Sequence, residues 1–363
     1  MIKNTTILEC LADFDTAYFH QCVLGWYKQY GRSDLVWRNF ARDGSKSYEV
    51  YVSEMMLQQT QVQRVLEHYY FPFLRAFPTL KSLANAKQER VLKVWEGLGY
   101  YARARNMQKC AHICMQHYDE KLPSDIHTLQ ELPGIGLYSA GAIACFGFGK
   151  SVGFVDSNIS RVFCRLFALQ ESKTKELHFL ANTLVSTSHS FEYNQALLDI
   201  GALICTKTPK CLICPLFTLC LGKSTPNLYP RKKKSPKHHL DILLFGVYFM
   251  RGGNAHFALQ QSTNKLYFGL YNLPQIPKEH SAQILHNMST YATPKRLGKI
   301  QHNYTKYTIS AEVYAFECEN LTQAKDIIKH IGTQDSHPID FFTQKEVATL
   351  PISSLAKKAL NFF

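Results

Sequence analysis

From residue 12 to residue 222, apolar residues recur every three or four positions, as on one face of a helix, and strict strand-like alternation is missing. The segment SEMMLQQTQVQRVLEHYYFPFLRAF (53–77) keeps this period up to Pro78. SLANAKQERVLKVWEGLG (82–99) keeps it up to Gly97 and Gly99, and ARARNMQKCAHICMQHY (102–118) resumes it. An all-helical first half is therefore predicted. Near residue 225 the character changes. STPNLYPRKKKSPKHH (224–239) has three prolines and a basic run and reads as a linker, either a solvated tether or one that grips phosphate. Beyond it, LDILLFGVYFM (240–250), HFALQQ (256–261) and YTISAEVYAFEC (307–318) are rich in β-branched and aromatic residues and predict strands. TQAKDIIKHI (322–331) and VATLPISSLAKKALNFF (347–363) predict helices. The pattern is an all-α half joined to a smaller α+β half, without repeats.

Composition sharpens this picture. The chain of 363 residues is 46% hydrophobic, enough for sizeable cores. Its formal charge of +13 favours a polyanionic partner, because bound phosphates release their counterions, although a generally basic protein would share the trait. No run of about eighteen apolar residues predicts a membrane span. The N-terminal MIKNTTILECLADFD carries acids within its apolar run, unlike a secretory signal.

Of eleven cysteines, seven are scattered through apolar segments and read as reduced buried thiols. Cys205, Cys211, Cys214 and Cys220 fall within sixteen residues, close enough to converge on one inorganic centre. Four cysteines suit a [4Fe–4S] cluster or a structural zinc. A single C-x2-C pair, Cys211 and Cys214, leans away from zinc without deciding the matter. LPGIG (132–136) before YSAGAIACFGF resembles a helix-hairpin-helix turn. Gly134, Ile135 and Gly136 would bring the backbone N–H groups of a helix N-terminus to a DNA phosphate. Some twenty residues on, GFVDSNISRV places Asp156 just before a helix, where by itself it reads as an N-cap.

Taken together, these segments resemble the helix-hairpin-helix DNA glycosylases that carry an iron–sulfur cluster. YVSEMMLQQTQV (51–62), GLGYYARARN (97–106) and NQALLDIGALIC (194–205) resemble the MutY branch, which removes adenine mispaired with 8-oxoguanine. The resemblance covers most of residues 20–221; the remainder fits that branch's Nudix-like domain only loosely.

The resemblance implies a helical glycosylase domain over 1–222, a basic linker over 223–239 and an α+β Nudix-like domain over 240–363. It implies a monomeric, monofunctional adenine DNA glycosylase acting on duplex DNA with adenine opposite 8-oxoguanine or guanine. It also implies one [4Fe–4S] cluster on the four cysteines, no nucleotide cofactor, no membrane, and a cytoplasmic, nucleoid-associated bacterial location. Adenine would be flipped out of the stack. Glu54 would protonate its N7, and Asp156 would stay ionised to stabilise the oxocarbenium-like sugar. Tyr138 and Asn158 would orient Asp156 and the sugar. Tyr138 stands where the endonuclease III type has a Schiff-base lysine, so no strand nicking is expected. Trp37, Arg38, Leu57 and Gln195 would line the adenine pocket, Trp37 and Leu57 being equally readable as core. Gln59 and Tyr100 would wedge into the stack. His302, Tyr304 and Thr305 would recognise 8-oxoguanine.

The chain departs from that branch at four places. Five residues instead of six separate Cys205 from Cys211, Ser157 replaces a glycine, Val36 replaces a proline, and residues 302–306 are altered. The second half has no Nudix catalytic signature. Two alternatives to the resemblance are a glycosylase/lyase for oxidised pyrimidines and a non-catalytic Fe–S DNA-binding protein.

Overall fold

The computed structural model describes residues 11–231, 236–304, 306–331 and 337–363. Its contacts divide the chain into two compact units. One comprises Met1–Asn85 with Asn106–Lys233; the other comprises Ala86–Arg105 with Lys234–Phe363. The division near residue 233 falls in the basic linker. Residues 86–105, which the sequence pattern runs into the helical half, cluster with the second unit. Within that unit the Tyr271 hydroxyl donates to Glu89 at 2.8 Å, Lys93 donates to the Leu350 carbonyl at 2.9 Å and Arg105 to the Phe268 carbonyl at 2.7 Å.

The first unit is helical. Helix Ser47–Leu57 is buried from Ser47 through Met56 except at Glu49, and it packs on helix Leu137–Phe148. Small residues permit that approach: a Cβ on Gly147 would lie 3.3 Å from the Ser47 backbone. Helix Ser190–Asp199 packs on Thr16–Tyr30. Around them Phe163, Leu180, Tyr193 and Ile200 form a dry core.

The single helical period over 53–77 is broken in three dimensions. The first helix stops at Leu57, Gln59 adopts φ +59°, and two short helices follow, Val62–His68 and Tyr70–Ala76. Pro72 sits in the first turn of the last helix, where its missing N–H costs nothing.

The second unit is a mixed sheet. Strands β1 (His238–Arg251) and β6 (Tyr307–Cys318) pair in parallel at its centre. Strand β2 (Asn254–Gln261) lies antiparallel to β1, and β5 (Lys295–Tyr304) antiparallel to β6. Three short strands, β3 (Tyr271–Asn272), β4 (Gln275–Pro277) and β7 (Ile339–Thr343), complete it. Helices Ser281–Ser289 and Leu321–Ile331 supply Met288, Ala324 and Ile327 to a core with Leu243, Phe245 and Phe316. The β5, β3, β4 and β7 strands and the Ser281–Ser289 helix were not legible in the sequence pattern. Pro351 splits the helix expected over 347–363 into Gln344–Thr349 and Ser354–Leu360. Among the described residues, no helix is long and apolar enough to cross a membrane.

Candidate active site

Glu54 lies mid-helix among apolar neighbours and is 4% exposed. Its carboxylate oxygen Oε2 accepts a 2.8 Å hydrogen bond from the Tyr138 hydroxyl. Tyr138 enters from the first turn of helix Leu137–Phe148, so the packing of these two helices creates the pair. Burial pushes the Glu54 pKa up to about 7, against the Tyr138 hydrogen bond and Arg38, which pull it down, and with Asp156, which adds to the rise.

Asp156 is indeed an N-cap. Its Oδ1 accepts from the backbone N–H of Asn158 at 2.9 Å and of Ile159 at 2.7 Å, opening helix Ser157–Leu166. Its Oδ2 accepts from the Asn158 side chain at 2.8 Å. Burial raises its pKa, while these three donors and Arg161 hold it down, and the helix N-terminus favours the same anion. Capping and site chemistry thus coincide in one carboxylate. Ser157 takes an ordinary helical conformation with no positive φ, so its hydroxymethyl group adds no backbone strain.

Glu54, Tyr138, Asp156 and Asn158 open onto one cavity of about 470 Å³ within the first unit, inside the range of small-molecule sites. Trp37, Arg38, Leu57 and Gln195 line it as well. Trp37 is both wall and core, since its ring packs edge-on against Tyr70. Gln195 is 3% exposed and lines the same cavity.

The arginines on this wall share an anion that the sequence reading missed. Asp199 is fully buried and accepts five hydrogen bonds: two from the Arg38 guanidinium (2.7 and 2.8 Å) and three from Arg32, one of them backbone. Their charges hold its carboxyl below the usual range, against burial. This pairing fixes the Val36–Arg38 turn, and with it Trp37. An acid inside the apolar run NQALLDIGALIC was the available signal. Arg161 was also missed. It donates to the Asn158 side-chain oxygen at 2.9 Å, to the Gly201 carbonyl at 2.7 Å and to the Cys205 carbonyl at 2.6 Å.

The glycine turn behaves as its sequence suggests. Gly134 has φ +82°, and a Cβ there would meet the Asn106 side chain at 2.8 Å. Gly136 caps helix Leu137–Phe148 without a side chain, which leaves its first-turn N–H groups free of a side-chain cap. Ile135 departs from expectation. Its side chain is buried and its own N–H closes the turn onto Leu132, so it is an anchor of the turn. Gln59 and Tyr100 are exposed and both have positive φ, +59° and +48°. Such backbone strain in non-glycine residues persists only where the surroundings hold it.

In the second unit, His302 and Tyr304 project from one face of β5. Tyr304 packs on the Tyr267 ring at 5.6 Å, and burial with Lys358 nearby keeps the His302 imidazole pKa below its usual value. Thr305 lies outside the described residues.

Cys205, Cys211, Cys214 and Cys220 surround one small cavity with Arg165, Lys210 and Lys223, despite the shortened gap after Cys205. Arg165 Nη1 donates to the Cys205 sulfur at 3.3 Å. Burial raises the thiol pKa of Cys214, to about 12, and of Cys220, and the charges of neighbouring cysteines add to both. Among the described residues, no group of three or more His, Cys, Asp or Glu is placed to hold a metal ion.

Residues 52–186 match the HhH-GPD superfamily of base excision DNA repair proteins. An adenine DNA glycosylase of Buchnera aphidicola (subsp. Baizongia pistaciae) is 35% identical over 270 residues, spanning 73% of this chain and 76% of that protein. The adenine DNA glycosylase of Homo sapiens is 30% identical, spanning 95% of this chain and 74% of its own length. A thermostable thymine-DNA glycosylase structure aligns with TM-score 0.53 and 26% identity over 58% of this chain and 96% of its own.

Two outcomes are expected. A carboxyl whose pKa is raised from 4.5 to about 7 by folding costs stability that grows as pH rises from about 4.5 to about 7. Glu54→Gln should therefore stabilise the protein at pH 8 by up to about 3 kcal/mol and by little at pH 4.5, read as denaturant midpoints at both pH values. Asp199→Ala should cost about 3–5 kcal/mol, because two guanidinium groups lose their anion; a change in midpoint worth less than 1 kcal/mol would contradict the pairing's role.

Proposed function

The chain belongs to the adenine DNA glycosylase family, within the helix-hairpin-helix base excision repair superfamily, and from that premise we propose how its cavity hydrolyses the N-glycosidic bond of adenine. A base inside a duplex must leave the stack to reach buried carboxyls. The first-turn N–H groups after Gly136 hold a phosphate beside the extruded nucleotide, and Gln59 and Tyr100 occupy the space left in the stack. The adenine ring enters between Trp37 and Leu57, where the buried Gln195 amide reads its edge.

Glu54, neutral up to about pH 7, gives its proton to adenine N7, and the C1′–N9 bond breaks with its electron pair retained by the base. Asp156 is the anion that faces the cationic deoxyribose, while Asn158 and the helix N-terminus keep it charged and aimed. Water then adds at C1′, its proton restoring the acid on Glu54, and an abasic site is left. Tyr138 orients Glu54 through its hydroxyl and cannot form an imine, so the strand stays intact. The observation that carries this reading is the shared cavity in which one carboxyl is desolvated and the other carries three donors.

The mispair is proposed to be adenine opposite 8-oxoguanine or guanine, with His302, Tyr304 and Thr305 recognising the opposite base and the chain acting as a cytoplasmic monomer. Cys205, Cys211, Cys214 and Cys220 are proposed to hold one [4Fe–4S] cluster, which when bound cross-links the 205–220 loop. One observation supports the fit: the four thiols crowd around one space where their thiolate forms repel, which a cationic centre would relieve. Arg165 and Arg161 tie that loop to the helix capped by Asp156.

Incubating an A·8-oxoguanine duplex with the protein should give cleavage at the adenine only after alkali, and borohydride should trap no adduct. The single-turnover rate should fall as pH rises through about 7, as Glu54 loses its proton, and Glu54→Gln should abolish it while leaving binding intact. An adduct would favour the lyase reading, and retained binding with no excision the non-catalytic one. Purified protein should contain four irons and acid-labile sulfide, and Cys214→Ser should lose them; one zinc per chain would refute the cluster.

A further inference from the structure

Phe268, in the second unit, leaves its ring 44% exposed beside a cation that has no carboxylate partner. Its loop is ordered. The Gly269 N–H donates to the Ser262 carbonyl at 2.8 Å, and the Ser262 N–H to the Leu270 carbonyl at 2.9 Å. Gly269 turns the chain with φ +81°, and a Cβ there would meet Leu92 at 3.0 Å. The cation is the half-buried Arg105. Its Nη1 donates to the Phe268 carbonyl at 2.7 Å, and its guanidinium carbon lies 5.0 Å from the centre of the Phe268 ring. Among the described residues Arg105 has no ion pair and no second hydrogen bond. The exposed Tyr100, strained at φ +48°, belongs to the same neighbourhood: burial raises the Tyr304 pKa, Arg105 opposes that rise and Tyr100 adds to it.

A half-buried guanidinium without a carboxylate has given up water and gained no counter-charge, so it calls for an acceptor from outside. An exposed aromatic ring on an ordered loop calls for an apolar face. A phosphate would satisfy the cation and leave Phe268 bare, and an apolar protein surface would cover Phe268 and strand the cation. A nucleobase meets both needs, its ring on Phe268 and its carbonyl oxygen on Arg105. Arginine only donates, so the base must present acceptors, as guanine does with O6 and N7 and 8-oxoguanine with O6 and O8. A base whose partner adenine has been extruded has a free hydrogen-bonding edge, and a wedge such as Tyr100 opens one of its faces. We propose that Arg105 and Phe268 read the base opposite the flipped adenine, Phe268 by stacking and Arg105 by donating to its carbonyl oxygens. The proposal rests on the glycosylase reading and adds two specificity-determining residues to it.

Fluorescence anisotropy of the full-length protein on duplexes carrying 2′-fluoro-2′-deoxyadenosine, whose glycosidic bond resists cleavage, tests it. The opposite position holds 8-oxoguanine or a tetrahydrofuran residue without a base. Wild type should prefer 8-oxoguanine. Arg105→Met and Phe268→Ser should each shrink that preference by about tenfold and leave tetrahydrofuran binding within about threefold. Arg105→Lys, which keeps the charge without the fork, should lose the preference as Arg105→Met does. Phe268 is exposed, so Phe268→Ser should melt as wild type does and decides the matter even where Arg105→Met fails to fold. Four outcomes overturn the proposal: no preference in wild type, a preference that Phe268→Ser leaves unchanged, full rescue by Arg105→Lys, and an equal loss on both duplexes. In the last case the salt dependence would become shallower by about one phosphate, the mark of a backbone contact. Adenine release by wild type from the unfluorinated 8-oxoguanine duplex is measured alongside. Its absence sinks the glycosylase reading and the proposal with it, whereas release with an unchanged preference sinks the proposal alone.

Discussion

Two carboxyl groups that face one desolvated cavity cannot both carry charge cheaply, and the rest of the first unit is arranged around that constraint. Glu54 is placed mid-helix, where every backbone N–H is already used and neighbouring side chains are apolar, so the neutral acid is favoured. Asp156 is placed at a helix N-terminus, where uncommitted N–H groups favour the anion. Burial raises the pKa of both carboxyls, but only at the helix N-terminus do backbone N–H groups offset part of that rise.

Holding this arrangement requires further interactions. Asp199 gathers Arg32 and Arg38 into a buried cluster behind the wall that carries Trp37. Arg161 links Asn158, and through it Asp156, to the backbone at Gly201 and Cys205. The positive φ of Gln59 marks where the long apolar segment must stop being a helix. That break sets an exposed side chain beside the cavity-lining residues Leu57 and Gln61.

The second unit follows a different logic. Its central parallel pair buries Leu243 to Val247 of β1 continuously but only every second residue of β6 from Ile309 to Ala315, so the two strands leave different marks in the sequence. Residues 86–105 join it through Glu89, Lys93 and Arg105, so Tyr100 and Tyr304 belong to one compact body although two hundred residues separate them. Sequence periodicity could not foresee this, because the segment is as helical as its neighbours.

Local chemistry was legible in the sequence. The long helical periods, the strands 240–250 and 307–318, the Gly134 turn and the Asp156 cap each depend on neighbours within a few residues. The grouping of the four cysteines, too, needed only spacing. Tertiary structure alone decided the rest. It set the break at Gln59, the short strands β3, β4 and β7, the convergence of Arg32, Arg38 and Asp199, and the burial that lifts Glu54 above the ordinary range of a carboxyl. These depend on partners outside the local segment, as far away as 167 residues for Arg32 and Asp199, or on exclusion of water, and neither desolvation nor a distant counter-charge leaves a periodic mark on the chain.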